Sequence, residues 1–164
     1  TGAAGVLVGF GGGSAHRTVN VLGIRVPMAS AVADVAEARR DYLDESGGRY
    51  VHVIADGAVG TSGDLVKAIA CGADAVMVGA ALARAADAPG RGYHWGSEAV
   101  HPTLPRGERV ELGTAGTFSE ILFGPSDRAD GTRNMVGALR KAMATTGYRD
   151  IKEFQRVQIN VRPG

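Results

Sequence analysis

The sequence predicts an α/β protein built on a parallel β-sheet. Three short apolar runs, "GVLVGF" (5–10), "YVHVIA" (50–55) and "AVMV" (75–78), have the length and composition of buried strands. Each run is followed within two residues by glycine, and helical patterns separate the runs. Strands that alternate with helices indicate a parallel sheet whose faces are covered by those helices.

The first long helix is predicted over residues 27–46. An apolar stripe recurs at spacings of four and three, and only Arg39 interrupts it. Its members are Met28, Val32, Val35, Arg39 and Tyr42. Pro27 suits a first helical turn, and the glycine pair at 47–48 supplies a stop.

Two further helices and a tail complete the predicted elements. Thr61 and Asp64 have the spacing of a capping box before "LVKAIAC", and Gly72 ends that helix. "TRNMVGALRKAMATTG" (132–147) predicts a last helix, and "IKEFQRVQINV" (151–161) forms the tail. Cys71 falls late in the second helix, where we expect a small buried hydrophobic side chain.

Composition excludes several classes of partner. The chain has 164 residues, of which 45% are hydrophobic, and its 18 basic and 17 acidic residues give a formal net charge of +1. That balance argues against binding to nucleic acid or a membrane surface through bulk charge. A single cysteine permits no intrachain disulfide, and no signal peptide or apolar run of ~18 residues is present, so we expect a cytoplasmic protein.

The whole chain, 1–164, is predicted to be one partial domain. Strands and helices occupy 1–87, and a Gly-, Pro- and His-rich stretch over 88–113 is typical of a functional flap or a disordered insert. The closing helix and tail occupy 114–164. The chain begins at Thr1 and enters a strand-like run almost at once, which predicts a segment from within a larger domain. Three strands leave two open edges, and a doubly wound sheet or a (β/α)₈ barrel would each complete them.

Chemically useful residues follow all three predicted strands. Gly11, Gly12, Gly13 and Ser14 follow the first, Asp56 and Gly57 the second, and Gly79 and Ala80 the third. Ligands of parallel α/β proteins bind at this end of the sheet, where glycines admit a ligand to the backbone and a helix amino end offers N–H groups to an anion. An ionised Asp at a strand end accepts hydrogen bonds, as from ribose hydroxyls. The pattern favours a nucleotide, although caps and turns alone would explain any one of these features.

Three segments resemble successive pieces of the IMP dehydrogenase/GMP reductase family. These are "VGFGGGSAHRT", "VIADGAVGTSGDLVKAIACGADAVMVGA" and "NMVGALRKAMATTGY", in order and at matching spacing. The resemblance implies the C-terminal half of a (β/α)₈ barrel, about its last three strands with a long flap insertion. It also implies a cytoplasmic homotetramer in GMP biosynthesis that transfers hydride at purine C2 with NAD or NADP. A monovalent cation belongs to the same chemistry, although no residue of this chain points to one.

Site residues carry over from that resemblance one by one. Ser14 would touch the nucleotide phosphate, and Asp56 would bind the ribose hydroxyls. Gly57, Gly79 and Ala80 would offer backbone groups to the phosphate. Tyr93 is similar to the tyrosine that helps to hold the phosphate, while Trp95 and Gly96 would lie by the purine.

The catalytic residues depart from the family pattern. The family's nucleophilic cysteine corresponds to His16, and an imidazole is a poorer nucleophile than a thiolate. Arg109 keeps the arginine of the family's Arg-x-x-Tyr pair, but Leu112 stands at the tyrosine. Ala58 replaces a phosphate-loop glycine, and Ala80 replaces a serine. The pattern is closest to an IMP dehydrogenase-like paralogous branch without the usual cysteine.

Three functions therefore stay open from the sequence. The first is a purine nucleotide oxidoreductase of IMP dehydrogenase or GMP reductase type. The second is a catalytically impaired nucleotide-binding paralogue with a regulatory role. The third is an FMN-dependent barrel enzyme, which would usually have an arginine where Ala80 follows Gly79. His94, Glu98 and His101 have weak metal-ligand spacing, and we expect them to line the nucleotide instead, with no metal site.

Overall fold

The computed structural model describes residues 2–10, 12–14, 18–95 and 109–160. Its main sheet has three parallel strands in the order β1-β2-β3. The elements up to the end of this sheet are β1 (Gly5–Val8), α1 (Thr18–Leu22), α2 (Met28–Glu45), β2 (His52–Asp56), α3 (Ser62–Ala70) and β3 (Ala75–Met77). The predicted parallel α/β arrangement is confirmed.

The second part of the chain adds short helices and a small antiparallel ribbon. Its elements are α4 (Ala80–Ala83), β4 (Tyr93–His94), β5 (Val110–Glu111), α5 (Phe118–Phe123), α6 (Met135–Thr146) and α7 (Ile151–Phe154). Strands β4 and β5 pair in antiparallel register at the two ends of the stretch that the sequence analysis assigned to a flap. The boundaries 1–87, 88–113 and 114–164 remain predictions.

One face of the sheet is buried against helices and the other is exposed. Val53 and Ala55 of β2 are fully buried and share a core with Val32 of α2 and Phe154 of α7. On the opposite face Leu7 remains 59% exposed and Met77 47% exposed. A second core lies between α4, α5 and α6 and includes Val59, Ala81, Ala85, Ile121 and Met135.

None of the helices within the described ranges is both long and apolar enough to cross a bilayer.

A buried carboxylate ties the amino end of the sheet to two helices. Five donors converge on Asp74, whose side chain is 8% exposed: Arg39 (2.8 Å), Tyr50 (2.7 Å), the Val53 backbone N–H (2.9 Å), Gln155 (3.2 Å) and Lys152. Burial alone would raise the pKa of Asp74, but the bonds from Lys152 and Tyr50 more than offset burial and hold the pKa below its ordinary value. Arg39, the charged member of the predicted apolar stripe, is buried because it makes this ion pair.

Several predicted boundaries need correction. β1 ends at Val8 rather than residue 10, and the chain bends at Phe10. The last long helix spans Met135–Thr146 rather than 132–147, since the Asn134 side chain caps it by accepting from the Gly137 N–H. The predicted tail contains α7, whose Phe154 is buried. Helices α1, α4 and α5 and the β4–β5 ribbon were not predicted.

The amino end of α3 confirms the predicted capping box. Thr61 Oγ1 accepts from the Asp64 N–H at 3.3 Å, and the Asp64 carboxylate accepts from the Thr61 N–H at 3.1 Å. We expect Thr61→Ala to lower the free energy of unfolding of the intact protein by about 1 kcal/mol. Urea denaturation measures this, with Thr145→Ala on the exposed face of α6 as the control. A Thr61→Ala midpoint equal to that of the control would contradict the cap's role.

Candidate functional site

The carboxyl ends of the three parallel strands meet at one edge of the sheet. Val8 pairs with Ala55, and Asp56 pairs with Met77, so the loops after the three strands leave the sheet side by side. Parallel α/β proteins bind their ligands at this edge. The structure therefore brings together the three loops that the sequence analysis selected.

Close backbone packing joins the loops after β1 and β2. A Cβ at Gly9 would lie 1.7 Å from the Asp56 carbonyl oxygen, so only glycine fits there. The Ala58 N–H donates to the Gly12 carbonyl at 2.9 Å, and a Cβ at Gly12 would come within 3.0 Å of the Ala58 Cβ. Ala58, where the resemblance implies a glycine, takes a positive φ of 55°. The loop after β1 is thus held against Asp56 and continues through Gly13 to the exposed Ser14.

Asp56 offers its carboxylate to this edge. It is the last residue of β2 and lies on the face opposite Val53 and Ala55, which are buried against the helices. Within the described residues no side chain or backbone donor pairs with that carboxylate, and the residue is half-buried. A half-buried carboxylate with open acceptor positions suits a ligand that brings paired hydroxyl donors.

Most amides at the amino end of α3 already have hydrogen-bond partners. The N–H groups of Gly60 and Thr61 donate to the Asp64 carboxylate, and that of Ser62 donates to the Gly131 carbonyl at 2.8 Å. The Asp64 side chain also brings a negative charge, and the Thr61 and Lys67 hydrogen bonds lower its pKa although burial opposes them. Anion binding at this helix end stays a prediction, and these hydrogen bonds count against it.

Arg109 is stacked on two aromatic rings of the β4–β5 ribbon. Its guanidinium carbon lies 4.5 Å from the centre of the Tyr93 ring and 5.6 Å from that of the Trp95 ring. The indole of Trp95 rests on Gly90, where a Cβ would come within 3.2 Å of the ring. Cation–π contacts of this kind fix an arginine without using its N–H donors. The structure thus places three of the predicted site residues, Tyr93, Trp95 and Arg109, in one stack.

His94 lies between the two stacked aromatic residues in sequence and packs against the loop after β3. A Cβ at Gly79 would lie 3.5 Å from His94 Cε1 and 3.8 Å from Nε2. Leu112, where the resemblance implies a tyrosine, is half-buried, and its N–H donates to the Gly92 carbonyl at 2.8 Å. The sequence analysis expected His94 to line a nucleotide, but nothing in the sequence revealed its contact with Gly79.

Comparison with known proteins gives the family. A model described as "IMP dehydrogenase / GMP reductase domain" matches residues 1–102. The chain belongs to the IMP dehydrogenase/GMP reductase family. The predicted resemblance is therefore confirmed, and so is the fold class, a segment of a (β/α)₈ barrel with parallel strands.

Relatives and a solved structure agree with this membership. An uncharacterized oxidoreductase of Mycolicibacterium smegmatis is 57% identical over 164 residues, covering 98% of this chain and 44% of the relative. An inosine-5'-monophosphate dehydrogenase of Aquifex aeolicus is 32% identical over 180 residues, covering 94% of this chain and 33% of the relative. The crystal structure of an IMP dehydrogenase/GMP reductase-like protein from Corynebacterium glutamicum is 53% identical, with a TM-score of 0.87, covering 98% of this chain and 43% of that chain. This family member thus spans less than half the length of these relatives.

Some predicted residues of this family member lie outside the described ranges. They are Gly11, His16, Gly96, Glu98 and His101. In the part of the chain that the structure describes, no group of three or more His, Cys, Asp or Glu residues is placed to hold a metal ion. Cys71 caps the carboxyl end of α3 and is half-buried rather than buried as expected, and this partial burial raises the pKa of its thiol.

Proposed function

We propose that this chain supplies the phosphate- and ribose-binding edge of an oxidoreductase that acts on a purine nucleoside monophosphate, IMP or GMP. The proposed reaction transfers hydride at purine C2 with NAD or NADP. One observation carries the proposal: the open carboxylate of Asp56 stands at the same sheet edge as the glycine loops that follow β1 and β3. Family membership and the oxidoreductase names of the relatives support the reaction class.

Each proposed contact follows from the chemistry of the ligand. The Asp56 carboxylate accepts from the ribose hydroxyls, which are paired donors. The exposed hydroxyl of Ser14 faces the phosphate. The phosphate also meets the backbone of Gly57, Gly79 and Ala80, because these positions bring little or no side chain between the ligand and the backbone. We assign Trp95 and Gly96 to the purine, Tyr93 to the phosphate side and Arg109 to the reacting end.

The described residues fit one mononucleotide. Between the end of β2 and the first turn of α3, the carboxylates are Asp56 and Asp64, and Asp64 is engaged in the α3 cap. One carboxylate serves one ribose diol, and Asp56 is the open carboxylate of this segment, which we assign to the ribose of the nucleoside monophosphate. NAD or NADP would supply or accept the hydride in the proposed reaction.

His16 favours a second candidate, a nucleotide-binding protein with little or no turnover. The family chemistry that the resemblance implies uses a thiolate that attacks purine C2, and this chain has an imidazole at that position. The nucleotide-binding residues fit both candidates, so a measurement of turnover has to distinguish them. In either case we propose a cytoplasmic homo-oligomer, a tetramer by family resemblance, with a small-molecule partner.

The test follows NADH or NADPH absorbance with the intact protein, offering IMP with NAD⁺ and GMP with NADPH. Turnover with either pair supports the oxidoreductase, and a parallel assay of His16→Ala asks whether the histidine has an essential role. Calorimetric binding of IMP or GMP without turnover would favour the second candidate. Protein that neither binds nor converts either nucleotide would refute both.

A further inference from the structure

We propose that Arg133 is a positioning residue that holds Arg109 on the rings of Tyr93 and Trp95. It acts through the exit leg, which we define as residues 112–117 between β5 and α5. Arg133 lies outside the loops that follow the three parallel strands, shortly before α6. Its effect on nucleotide binding rests on the proposed function, which assigns the stacked residues to the nucleotide, whereas its effect on the stack is measured separately.

The ribbon that carries the stack is too short to be stable alone. Strands β4 and β5 have two residues each and form a sheet of two strands. A two-stranded hairpin is at best marginally stable in water, so the ribbon depends on contacts at its ends. Arg109 directly precedes β5 and the exit leg directly follows it, so the position of the leg governs the position of Arg109.

Backbone hydrogen bonds attach the exit leg to the end of α4. The Ala115 N–H donates to the Arg84 carbonyl at 2.9 Å, and the Ala86 N–H donates to the Gly116 carbonyl at 2.7 Å. Ala115 is also buried in the second core. The leg is therefore packed against α4 along its middle residues.

The Arg133 guanidinium adds a side-chain contact to the same leg. Its Nε–H donates to the Ala115 carbonyl at 2.7 Å, and a Cβ at Gly116 would lie 3.0 Å from that Nε. Its Nη1 donates to the Asp127 carboxylate at 2.7 Å and lies 3.5 Å from the Glu120 carboxylate. With a side chain only 17% exposed, the guanidinium is held by these acids while it holds the leg.

The segment that carries Arg133 also contacts the amino end of α3. The Gly131 carbonyl accepts the Ser62 N–H at 2.8 Å, and a Cβ at Gly131 would come within 3.2 Å of Thr61 Cβ. Gly131 and Arg133 are two residues apart, so one short segment contacts both the start of α3 and the exit leg. Arg133 thereby fixes the ribbon relative to the sheet edge where Asp56 lies.

A planar guanidinium suits this role better than an ammonium does. Nε and Nη1 donate in directions that one plane fixes, so a single side chain reaches the Ala115 carbonyl and the Asp127 carboxylate together. Arg133→Lys keeps the positive charge but presents one nitrogen. We therefore expect lysine to restore part of the function of this position and not all of it.

The experiment follows the fluorescence of Trp95, the single tryptophan of this chain, in the folded intact protein. The Trp95 signal is the difference between each variant and the same variant carrying Trp95→Phe. We expect Arg133→Ala to raise the acrylamide quenching constant of Trp95 about twofold, because a loosened leg opens the stack to solvent. Arg133→Lys should raise it less, and it carries the test if Arg133→Ala does not fold. Arg128→Ala, which removes an exposed arginine of the same segment, is the matched control and should quench like wild type.

A double-mutant cycle with Arg109 tests whether the effect passes through the stack. In Arg109→Ala the guanidinium is already absent from the two rings, so adding Arg133→Ala should not raise Trp95 quenching further. A loss of global stability alone would leave quenching in the folded protein unchanged. Calorimetry on the same proteins should show IMP binding weakened about threefold in Arg133→Ala, since the stack is no longer preorganised, and unchanged in Arg128→Ala.

Each outcome decides one part of the proposal. Equal Trp95 quenching in wild type, Arg133→Ala and Arg133→Lys would overturn the positioning role. An undiminished effect of Arg133→Ala in the Arg109→Ala background would overturn action through Arg109. Increased quenching with unchanged IMP affinity would overturn the effect on nucleotide binding. If the wild-type protein binds neither IMP nor GMP, the proposed function fails, while the fluorescence result still decides whether Arg133 positions the stack.

Discussion

Replacing Asp56 with alanine is expected to weaken binding of IMP or GMP to the intact protein at least tenfold. The carboxylate ends β2 with no partner among the described residues, so its acceptor positions are open to the ribose hydroxyls. Hydrogen bonds to a charged acceptor are worth ~1.5–3 kcal/mol each, and ~1.4 kcal/mol already corresponds to a factor of ten. Titration calorimetry with each nucleotide measures the loss.

Two further variants sharpen the Asp56 test. Asp56→Asn keeps one acceptor oxygen but loses the charge, so its affinity should fall between those of wild type and Asp56→Ala. Asp34→Asn removes an exposed carboxylate of α2 that the site does not use, and it should leave nucleotide affinity unchanged. If Asp56→Ala binds nucleotide as tightly as the Asp34→Asn control, Asp56 is not a binding residue.

Replacing Asp74 with alanine is expected to lower the free energy of unfolding of the intact protein by about 3 kcal/mol, because it leaves a buried guanidinium without its carboxylate. The Arg39 side chain is 9% exposed and bonds to Asp74 at 2.8 Å. Tyr50, Gln155 and the Val53 N–H lose the same acceptor. Lys152 is largely exposed and adds little. Urea denaturation at pH 7 measures the loss, with Asp34→Ala as the control.

The same carboxylate predicts a pH dependence. The pKa of Asp74 is lower in the folded protein than the ~3.9 of an unfolded aspartate, so the folded state holds fewer protons on this group. Its contribution to stability is therefore present above about pH 4 and declines as the pH falls further. Asp74→Asn has no such proton to bind, so its stability should fall less than that of wild type between pH 5 and pH 3, two values chosen to bracket ~3.9. An equal fall in the free energy of unfolding of wild type and Asp74→Asn over this pH range would contradict this account of Asp74.

Local signals with a physical mechanism could be predicted from sequence. The capping box of Thr61 and Asp64 needs only two residue types at a fixed spacing, and the structure contains it. The strand-end position of Asp56 followed from an apolar run of the right length before it. Both features depend on neighbours along the chain, which a sequence displays directly.

Features that depend on distant partners were not predictable. Arg39 interrupts an apolar stripe, and the positions of Asp74 and Tyr50 explain its burial. The two-residue strands β4 and β5 are too short to show a period, and they pair across a long separation in sequence. Whether the amino end of α3 has free N–H groups for an anion depends partly on Gly131, which lies far along the chain. Its carbonyl accepts the Ser62 N–H. The contact between His94 and Gly79 belongs to the same class.

The central claim is that the loops after the three strands form a purine nucleoside monophosphate site. Its most direct test is a calorimetric titration of the intact wild-type protein with IMP, GMP, inosine and FMN. Our account predicts saturable binding of IMP or GMP that is at least tenfold tighter than binding of inosine and of FMN. Preferential binding of FMN, or equal binding of IMP and inosine, would contradict it.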